Sequence, residues 1–196
     1  MSRRPAAPGA RDPPASLRTF FALWPDSPAR DALAALARDT VVQAQGRAPA
    51  AENLHLTLAF LGDVAATRIV TLHAIGLAVA SAVPPFTLTL DRVGAFRAAE
   101  IAWAGTSATL PEFERLVRLL SSALAKERFP TERRPFQPHV TLARRCRRSV
   151  SAPIAVPIAW TVERITLNAS ATLPDGPRYR LLADWRLGPP ATMTGS

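Results

Sequence analysis

The sequence has very little cysteine and no long apolar run. Its single Cys146 excludes an internal disulfide bond and fits a reducing compartment. Arg, Asp or Pro interrupts each hydrophobic stretch well short of the roughly 20 residues that a membrane-spanning helix needs. The N-terminal arginines are followed by Pro and Ala rather than by an apolar segment, so we expect no secretory signal. These absences together predict a cytoplasmic protein that does not insert into membranes.

Lysine is also nearly absent, because Lys126 is the only one in the chain. Arginine supplies the remaining basic charge, and the formal net charge is +9. A charge of this sign attracts polyanions such as RNA. The preference for Arg over Lys can also follow from genomic base composition, so charge alone does not identify the partner.

The chain of 196 residues is long enough for one domain with a sizeable core or for two small lobes. Residues 1–15 are rich in Pro, Arg and Ala without periodicity, which predicts a disordered tail. Residues 189–196 predict a loose C-terminal tail. We therefore expect a single folded domain over residues 16–188.

One short pattern occurs twice, and it uses two of the three histidines. H-x-T-L-A stands at residues 55–59 and again at residues 139–143. Each copy lies in a segment with the alternation of a β-strand, in which His and Thr at i and i+2 share one face about 7 Å apart. The alanine that follows is small and should leave room beside them. The opposite face of each strand is apolar: Leu54, Leu56, Leu58 and Phe60 in the first copy, and Phe136, Pro138, Val140 and Leu142 in the second.

The remaining pattern predicts helices and strands in nearly equal measure. The first strand, residues 17–24, should place Leu17, Thr19, Phe21 and Leu23 on one face. A helix capped by Asp26 or Ser27 should follow and end near Gln45, and Asp63 should cap a second helix. Further strands are predicted at 86–93, 100–104, 160–168 and 179–187, with a helix over 111–128. This order predicts an α+β fold of mixed, largely antiparallel sheets covered by helices.

Two imidazoles and two hydroxyls around one centre are suited to displacement at phosphorus. An imidazole with a pKa near ~6.5 can be either a base or an acid at neutral pH. One His can take a proton from an attacking water while the other protonates the departing oxygen. The hydroxyls of Thr57 and Thr141 can donate hydrogen bonds to the phosphoryl oxygens, where negative charge accumulates.

The two motifs and their flanks resemble the two-histidine (2H) phosphoesterase superfamily. Within it, E-N-L-H-L-T-L-A-F-L-G and R-P-F-Q-P-H-V-T-L-A-R are similar to the RNA 2′,3′-cyclic phosphodiesterases, also called 2′-5′ RNA ligases. The resemblance covers residues 17–187. It implies two pseudo-symmetric lobes of mostly antiparallel sheet, with outer helices around a central cleft. The implied partner is an RNA or nucleotide bearing a 2′,3′-cyclic phosphate. The resemblance implies no cofactor, and it implies a monomer without an obligatory protein partner.

The resemblance also implies roles for individual residues. His55 would be the proton donor, His139 the proton acceptor, and Thr57 and Thr141 the phosphate contacts. The near-identity of the two motifs leaves an exchange of the two histidine roles open. The implied reaction is metal-independent hydrolysis of a cyclic phosphate to a 2′-phosphomonoester, with 2′-5′ ligation as the weaker reverse activity.

The candidates for substrate binding are a basic residue and three aromatic ones. Arg144 ends the second motif, whereas the other arginines of residues 145–148 fit a solvated turn. Trp103, Phe136 and Tyr179 are candidates for stacking on a base. The strand position of Phe136 also fits core packing.

Other kinds of function find less support in the sequence. A metal hydrolase needs clustered ligands, and H-x-x-x-H and C-x-x-C are both absent, so we expect no metal site. The G-x-S-x-G motif of serine hydrolases and the phosphate-binding loop of nucleotide hydrolases are also absent. His73 has no Thr partner and fits the flank of a helix. The rival from another class is a non-catalytic nucleotide- or RNA-binding module with the same cleft.

Overall fold

The computed structural model describes residues 15–108, 110–131, 136–173 and 176–188. Apart from Ala15, the two predicted tails lie outside these residues. The described chain contains eight strands and three α-helices in this order: β1 Ser16–Leu23, α1 Ser27–Ala44, β2 Leu56–Ala65, α2 Ile69–Ser81, β3 Phe86–Phe96, β4 Ile101–Gly105, α3 Pro111–Lys126, β5 His139–Arg144, β6 Ala152–Val162, β7 Arg164–Leu173 and β8 Gly176–Arg186.

The strands form one sheet in the order β6-β3-β4-β5-β2-β1-β7-β8. Every neighbouring pair is antiparallel, so the predicted α+β class is confirmed, and the expectation of mixed sheets is wrong. Four strands lie on each side of the boundary between β5 and β2. That boundary is a single residue pair, Leu56 with Val140. The sheet therefore consists of two four-stranded halves that are joined at one point.

The chain path bends this sheet strongly. β6 lies at one edge and β7 lies next to the other edge, yet only Glu163 separates them in the sequence. The carbonyl of Glu163 also accepts a hydrogen bond from the backbone of Leu187, just after β8. Both outer regions of the sheet must therefore come together at this residue, and the sheet cannot be flat.

The helices cover the sheet, and two of them begin as the sequence predicts. α1 packs on β4, β5 and β6, α2 packs on β7 and β8, and α3 packs on β2, β3 and α2. The Asp26 carboxylate accepts a hydrogen bond from the backbone of Ala29 at 2.9 Å, which is the predicted cap of α1. α1 ends at Ala44, and the next residue, Gln45, has a left-handed φ of 52°. α3 begins at Pro111 and buries one apolar stripe against the sheet: Phe113, Leu116, Leu120 and Leu124.

The end of the first motif strand differs from the prediction. β2 continues to Ala65, and Asp63 pairs with Arg18 of β1 instead of capping a helix. α2 begins only at Ile69, where no described side chain caps its first turn. Irregular pairing beside Gly62, whose φ is +67°, reverses the expected alternation. Phe60 is consequently 50% exposed, and its predicted place on the buried face is wrong.

The predicted strand over residues 160–168 is also wrong, because the boundary between β6 and β7 falls inside it. Two features hid this boundary. Glu163 is not a typical turn residue, and Pro153 and Pro157 interrupt the strand pattern of β6. Proline is tolerated there because β6 is an edge strand.

None of the helices in the described part of the chain is long and apolar enough to cross a membrane.

Candidate active site

The two H-x-T motifs meet at the joint between the halves of the sheet. Because Leu56 pairs antiparallel with Val140, the same register directs His55 toward Thr141 and Thr57 toward His139. Directly opposed residues of such strands have Cβ atoms about 5 Å apart. All four side chains line one cavity of about 330 Å³. The structure therefore brings together the groups that the sequence predicts to act together.

A backbone carbonyl orients each imidazole ring. The Nδ1 atom of His55 lies 2.7 Å from the carbonyl oxygen of Asn53, and that of His139 lies 2.9 Å from the carbonyl oxygen of Gln137. A carbonyl only accepts, so Nδ1 carries the proton in both rings and Nε2 remains for the reaction. The His55 Nε2 lies 3.1 Å from the Thr57 hydroxyl, which donates to it while the ring is neutral.

Burial keeps both imidazoles uncharged in the free protein. It lowers the pKa of His55 from 6.5 to about 4, against the opposing effect of the bond to Asn53. The positive charge of Arg144 adds to the lowering of this pKa, as does the charge of His139 whenever that ring is protonated. Burial also lowers the pKa of His139, again with a contribution from Arg144. A bound anion would offset these effects and raise the pKa of both rings.

Three aromatic rings surround His55. Their centroids lie 4.8 Å (Trp24), 5.1 Å (Tyr179) and 5.2 Å (Phe20) from that of the imidazole. The Trp24 indole nitrogen donates to the Thr166 hydroxyl at 3.0 Å, which fixes the ring in place. These rings occupy the space on one side of the imidazole, so a ligand can reach His55 only from the open part of the cavity.

Phe20 and Trp24 were not among the predicted site residues. The alternation of β1 contained a usable signal, since it places Thr19, Phe21 and Leu23 on one face. Phe20 and Trp24 then fall on the other face of the strand that pairs with β2. Aromatic residues in a central strand usually reflect core packing, so the pattern alone did not separate the two uses.

His139 has a different surrounding, in which one aromatic ring contacts it. Phe96 lies with its ring perpendicular to the imidazole at a centroid distance of 4.9 Å. Phe96 also packs against Trp103, which pairs with Thr141 in the register of β4 and β5. Trp103 is only 6% exposed, with its indole across the backbone of Gly94. Trp103 therefore supports the wall behind His139 and does not offer a free face to a base.

Of the other three substrate-binding candidates, two lie at the cavity and one does not. Arg144 and Tyr179 line the cavity with the two histidines. Phe136 lies elsewhere, with its ring 5.8 Å from that of Phe113 and beside a separate pocket near α3. The core-packing alternative for Phe136 is the one that the structure supports.

The arginines near the end of β5 include two cavity residues that the sequence did not single out. The backbones of Arg47 and Arg144 pair through two hydrogen bonds of 2.8 and 2.9 Å. Arg47 and Arg145 then line the cavity beside Arg144, although the sequence predicts a solvated turn for Arg145. Exposure of Arg145 agrees with that prediction, but its position at the cavity does not follow from it.

The alanine of the second motif serves packing rather than ligand access. Ala143 is fully buried against Ala44 and Ala102. A methyl group at Gly46 would lie 3.3 Å from the Ala143 Cβ and 2.9 Å from the Cys146 sulfur. The small side chains therefore allow the end of α1 to approach β5, and this approach positions Arg47.

No three of the described His, Cys, Asp and Glu residues are grouped so that they could hold a metal ion. His73 lies on α2, with its ring 5.6 Å from that of Trp185, and does not line the cavity. The polar side chains that line the described cavity carry imidazole, hydroxyl, guanidinium and amide groups.

The known sequences that resemble this chain are phosphoesterases. The LigT like Phosphoesterase family matches residues 23–103. The RNA 2′,3′-cyclic phosphodiesterase of Escherichia coli (strain K12) is 36% identical over 143 residues, covering 72% of this chain and 80% of the relative. The RNA 2′,3′-cyclic phosphodiesterase of Thermus thermophilus is 32% identical over 184 residues, covering 87% of this chain and 90% of the relative.

Solved structures share the fold over nearly the same span. The crystal structure of E. coli LigT complexed with 3′-AMP has a TM-score of 0.80 at 32% identity, covering 88% of this chain and 98% of that one. The crystal structure of TT0787 from Thermus thermophilus has a TM-score of 0.78 at 28% identity, covering 88% of this chain and 99% of that one.

Proposed function

This chain belongs to the LigT-like phosphoesterase family, and we propose that it is a metal-independent RNA 2′,3′-cyclic phosphodiesterase. Its substrate is an RNA or nucleotide with a 2′,3′-cyclic phosphate end, and its product is the 2′-phosphomonoester. Ligation of RNA ends through a 2′-5′ bond is the minor reverse reaction. The protein acts as a monomer without an obligatory protein partner.

The observation that carries this proposal is the convergence of both His-Thr pairs on one cavity. One pair comes from each four-stranded half of the sheet, and among the described strands the two halves pair only between the two motifs. In this proposal the halves act as two pseudo-symmetric lobes, and the cavity is the cleft between them. A phosphate in this cleft meets one imidazole on each side, as an in-line displacement requires.

The proposed reaction begins when the anionic substrate binds. Its negative charge raises the lowered pKa of His55, which takes up a proton from solvent. His139 is the proton acceptor: its free Nε2 removes a proton from water as the water oxygen attacks phosphorus. The bond from phosphorus to the ribose 3′ oxygen breaks, and His55 protonates that oxygen. Proton exchange with solvent then restores both rings.

The assignment of donor and acceptor rests on the unequal surroundings of the two rings. Three aromatic side chains pack around His55, whereas only Phe96 contacts His139 among the described aromatic residues. The acceptor must share a space with water, which fits the less enclosed ring. The donor must face the nucleoside, which fits the ring with apolar neighbours.

Thr57, Thr141 and Arg144 stabilise the phosphate in this proposal. The two hydroxyls donate hydrogen bonds to the non-bridging oxygens, and the guanidinium of Arg144 at the cavity balances the charge that builds up in the transition state. Release of the Thr57 hydroxyl from the His55 nitrogen accompanies protonation of that nitrogen, so Thr57 becomes available to the phosphate when His55 is charged.

Hydrolysis of the four nucleoside 2′,3′-cyclic phosphates in EDTA tests the proposal. We expect turnover with each, and ³¹P NMR should identify the 2′-phosphate as the product. Dependence on an added metal ion, or a 3′-phosphate product, would contradict the mechanism.

Removal of one imidazole distinguishes the proposed enzyme from a non-catalytic binding module. His55→Ala should reduce turnover by roughly 10²- to 10⁴-fold, the usual contribution of one acid-base group, while binding of a 2′-nucleotide persists. His73→Ala is the matched control, because it removes an imidazole outside the cavity and should leave turnover unchanged. Nucleotide binding by the wild type without any turnover would identify a binding module instead.

A further inference from the structure

A second and larger cavity adjoins the active site on the side of His139. It has a volume of about 850 Å³ and runs between β3 and the loop before β6. We call it the β3–β6 groove and define it by Arg92, Gly94, Arg97, Trp103, Gln137 and Ser151. The sequence alone predicts no role for this groove.

Two contacts connect the groove to the active site. Gln137 lines the groove, and its backbone carbonyl holds the His139 ring. Trp103 lines the groove and pairs with Thr141. Residues two apart on an extended chain are about 7 Å apart, so the groove begins within one nucleotide's length of the proposed phosphate site.

The chemistry of the groove suits a polyanion. Arg92 and Arg97 are exposed, and they face a single carboxylate among the described lining residues, Asp91. That carboxylate accepts hydrogen bonds from the backbone and the hydroxyl of Ser107. The groove therefore carries net positive charge, and its partly satisfied carboxylate repels phosphate less than a free one would.

Its remaining polar groups suit a nucleic acid backbone. Ser149, Ser151 and the Gln137 amide can donate to phosphate oxygens and exchange hydrogen bonds with ribose hydroxyls. Ala95 adds little bulk to the floor, whereas the Trp103 indole covers the backbone of Gly94. These are contacts to a backbone and carry no base preference.

We propose that the β3–β6 groove binds the RNA strand on the 5′ side of the terminal nucleotide, which deepens the proposed function and rests on it. The active-site cavity, at about 330 Å³, is near the lower end of the ~300–1,000 Å³ range of small-ligand sites and holds about one nucleotide. The rest of an RNA substrate must lie outside it. Aromatic rings pack around His55 on one side, whereas the groove continues from the wall behind His139.

Comparison of a short and a longer substrate tests this proposal. The double variant Arg92→Gln/Arg97→Gln should lower kcat/KM at least about 10-fold for a triadenylate ending in a 2′,3′-cyclic phosphate. Its kcat/KM for 2′,3′-cyclic AMP should stay within about twofold, which also shows that the variant is folded. The slope of log kcat/KM against log salt for the triadenylate should become shallower by about 0.7 for each arginine that contacts a phosphate. Arg115→Gln/Lys126→Gln removes two exposed charges of α3 outside the groove, so it is the charge-matched control and should change kcat/KM for neither substrate.

Equal losses on both substrates, or no loss on either, would overturn the groove proposal. Absence of 2′,3′-cyclic AMP hydrolysis by the wild type would overturn the proposed function instead. Binding of a fluorescein-labelled triadenylate with a 2′-phosphate end then still tests the groove by anisotropy. Weaker binding by Arg92→Gln/Arg97→Gln than by Arg115→Gln/Lys126→Gln supports the groove, and equal binding overturns it.

Discussion

At the scale of single residues, Arg144 adds positive charge to the cavity and so contributes to keeping both catalytic candidates uncharged. Its positive charge contributes to the lowered pKa of His55 and of His139. We expect Arg144→Gln to raise both pKa values, so that both limbs of the kcat/KM profile move to higher pH, as well as to weaken phosphate binding. Hydrolysis of 2′,3′-cyclic AMP between pH 4 and pH 9 measures this.

Arg147→Gln is the control for this variant. Arg147 is exposed on the loop that follows β5 but does not line the cavity, so its loss should leave both limbs in place. Limbs that coincide in wild type and Arg144→Gln would show that the guanidinium does not act on the imidazoles.

A second prediction concerns the difference between the free and the substrate-bound enzyme. Burial lowers the pKa of His55 to about 4 and that of His139 below its usual 6.5, so the kcat/KM profile should peak below pH 6.5. The kcat profile should lie at higher pH, because bound phosphate raises both pKa values. Steady-state kinetics across pH separates the two, and coincident profiles with a peak above pH 7 would contradict this account.

The site residues that the sequence predicted are those of the repeated H-x-T motif. His55, Thr57, His139 and Thr141 stand out because the same spacing occurs twice, and the structure places all four at one cavity. Phe20, Trp24 and Phe96 occur once each, and core packing explains such residues equally well. Their role beside the imidazoles depends on strand order, which alternation along one strand does not contain.

At the scale of elements, the indole of Trp103 on β4 packs closely on the backbone of β3, and this packing supports the site. A methyl group at Gly94 would overlap the Trp103 ring, which packs on Phe96 beside His139. We expect Gly94→Ala to lower the free energy of unfolding by about 1–3 kcal/mol, typical of an overpacked core, and to lower kcat as well. Urea unfolding and hydrolysis of 2′,3′-cyclic AMP measure the two effects.

Gly76→Ala provides a control with the same kind of overlap far from the cavity. Its methyl group, on α2, would meet the ring of Trp185, although alanine regains about 1 kcal/mol of helix propensity. Its kcat should equal that of the wild type. An equal loss of kcat in both variants would mean that general destabilisation, and not the wall behind His139, causes the defect.

Element boundaries were predictable where local chemistry sets them. Asp26 caps α1 because its carboxylate reaches the Ala29 backbone, an interaction within four residues. Asp63 offers the same chemistry, but pairing of β2 with β1 extends the strand past it. The separation of β6 from β7 at Glu163 likewise depends on partners distant in sequence.

At the scale of the whole molecule, the buried imidazoles link stability to pH. The pKa of His55 is about 4 in the folded protein and near 6.5 in the unfolded chain, so the unfolded chain binds more protons between these values. With respect to His55, the folded state therefore has its full stability above pH 6.5 and loses stability as the pH falls toward 4. His55 alone should contribute at most about 3 kcal/mol to this loss, and His139 acts in the same direction.

Urea unfolding at pH 7 and pH 4.5 tests this linkage. Wild-type protein should lose stability over this interval, and His55→Gln should lose distinctly less because its amide does not titrate. Parallel losses in the two proteins would show that other groups govern the acid sensitivity.

The three rings around His55 have a consequence for regiochemistry. A cyclic phosphate offers two ester oxygens of similar reactivity, and solution chemistry opens the ring at either one. Here three aromatic rings pack around His55 and one packs against His139, so in the proposed mechanism the water approaches from the side of His139. The isomer that forms then depends on this asymmetry, and replacement of Phe20 or Trp24 by a small polar residue should yield a mixture of isomers.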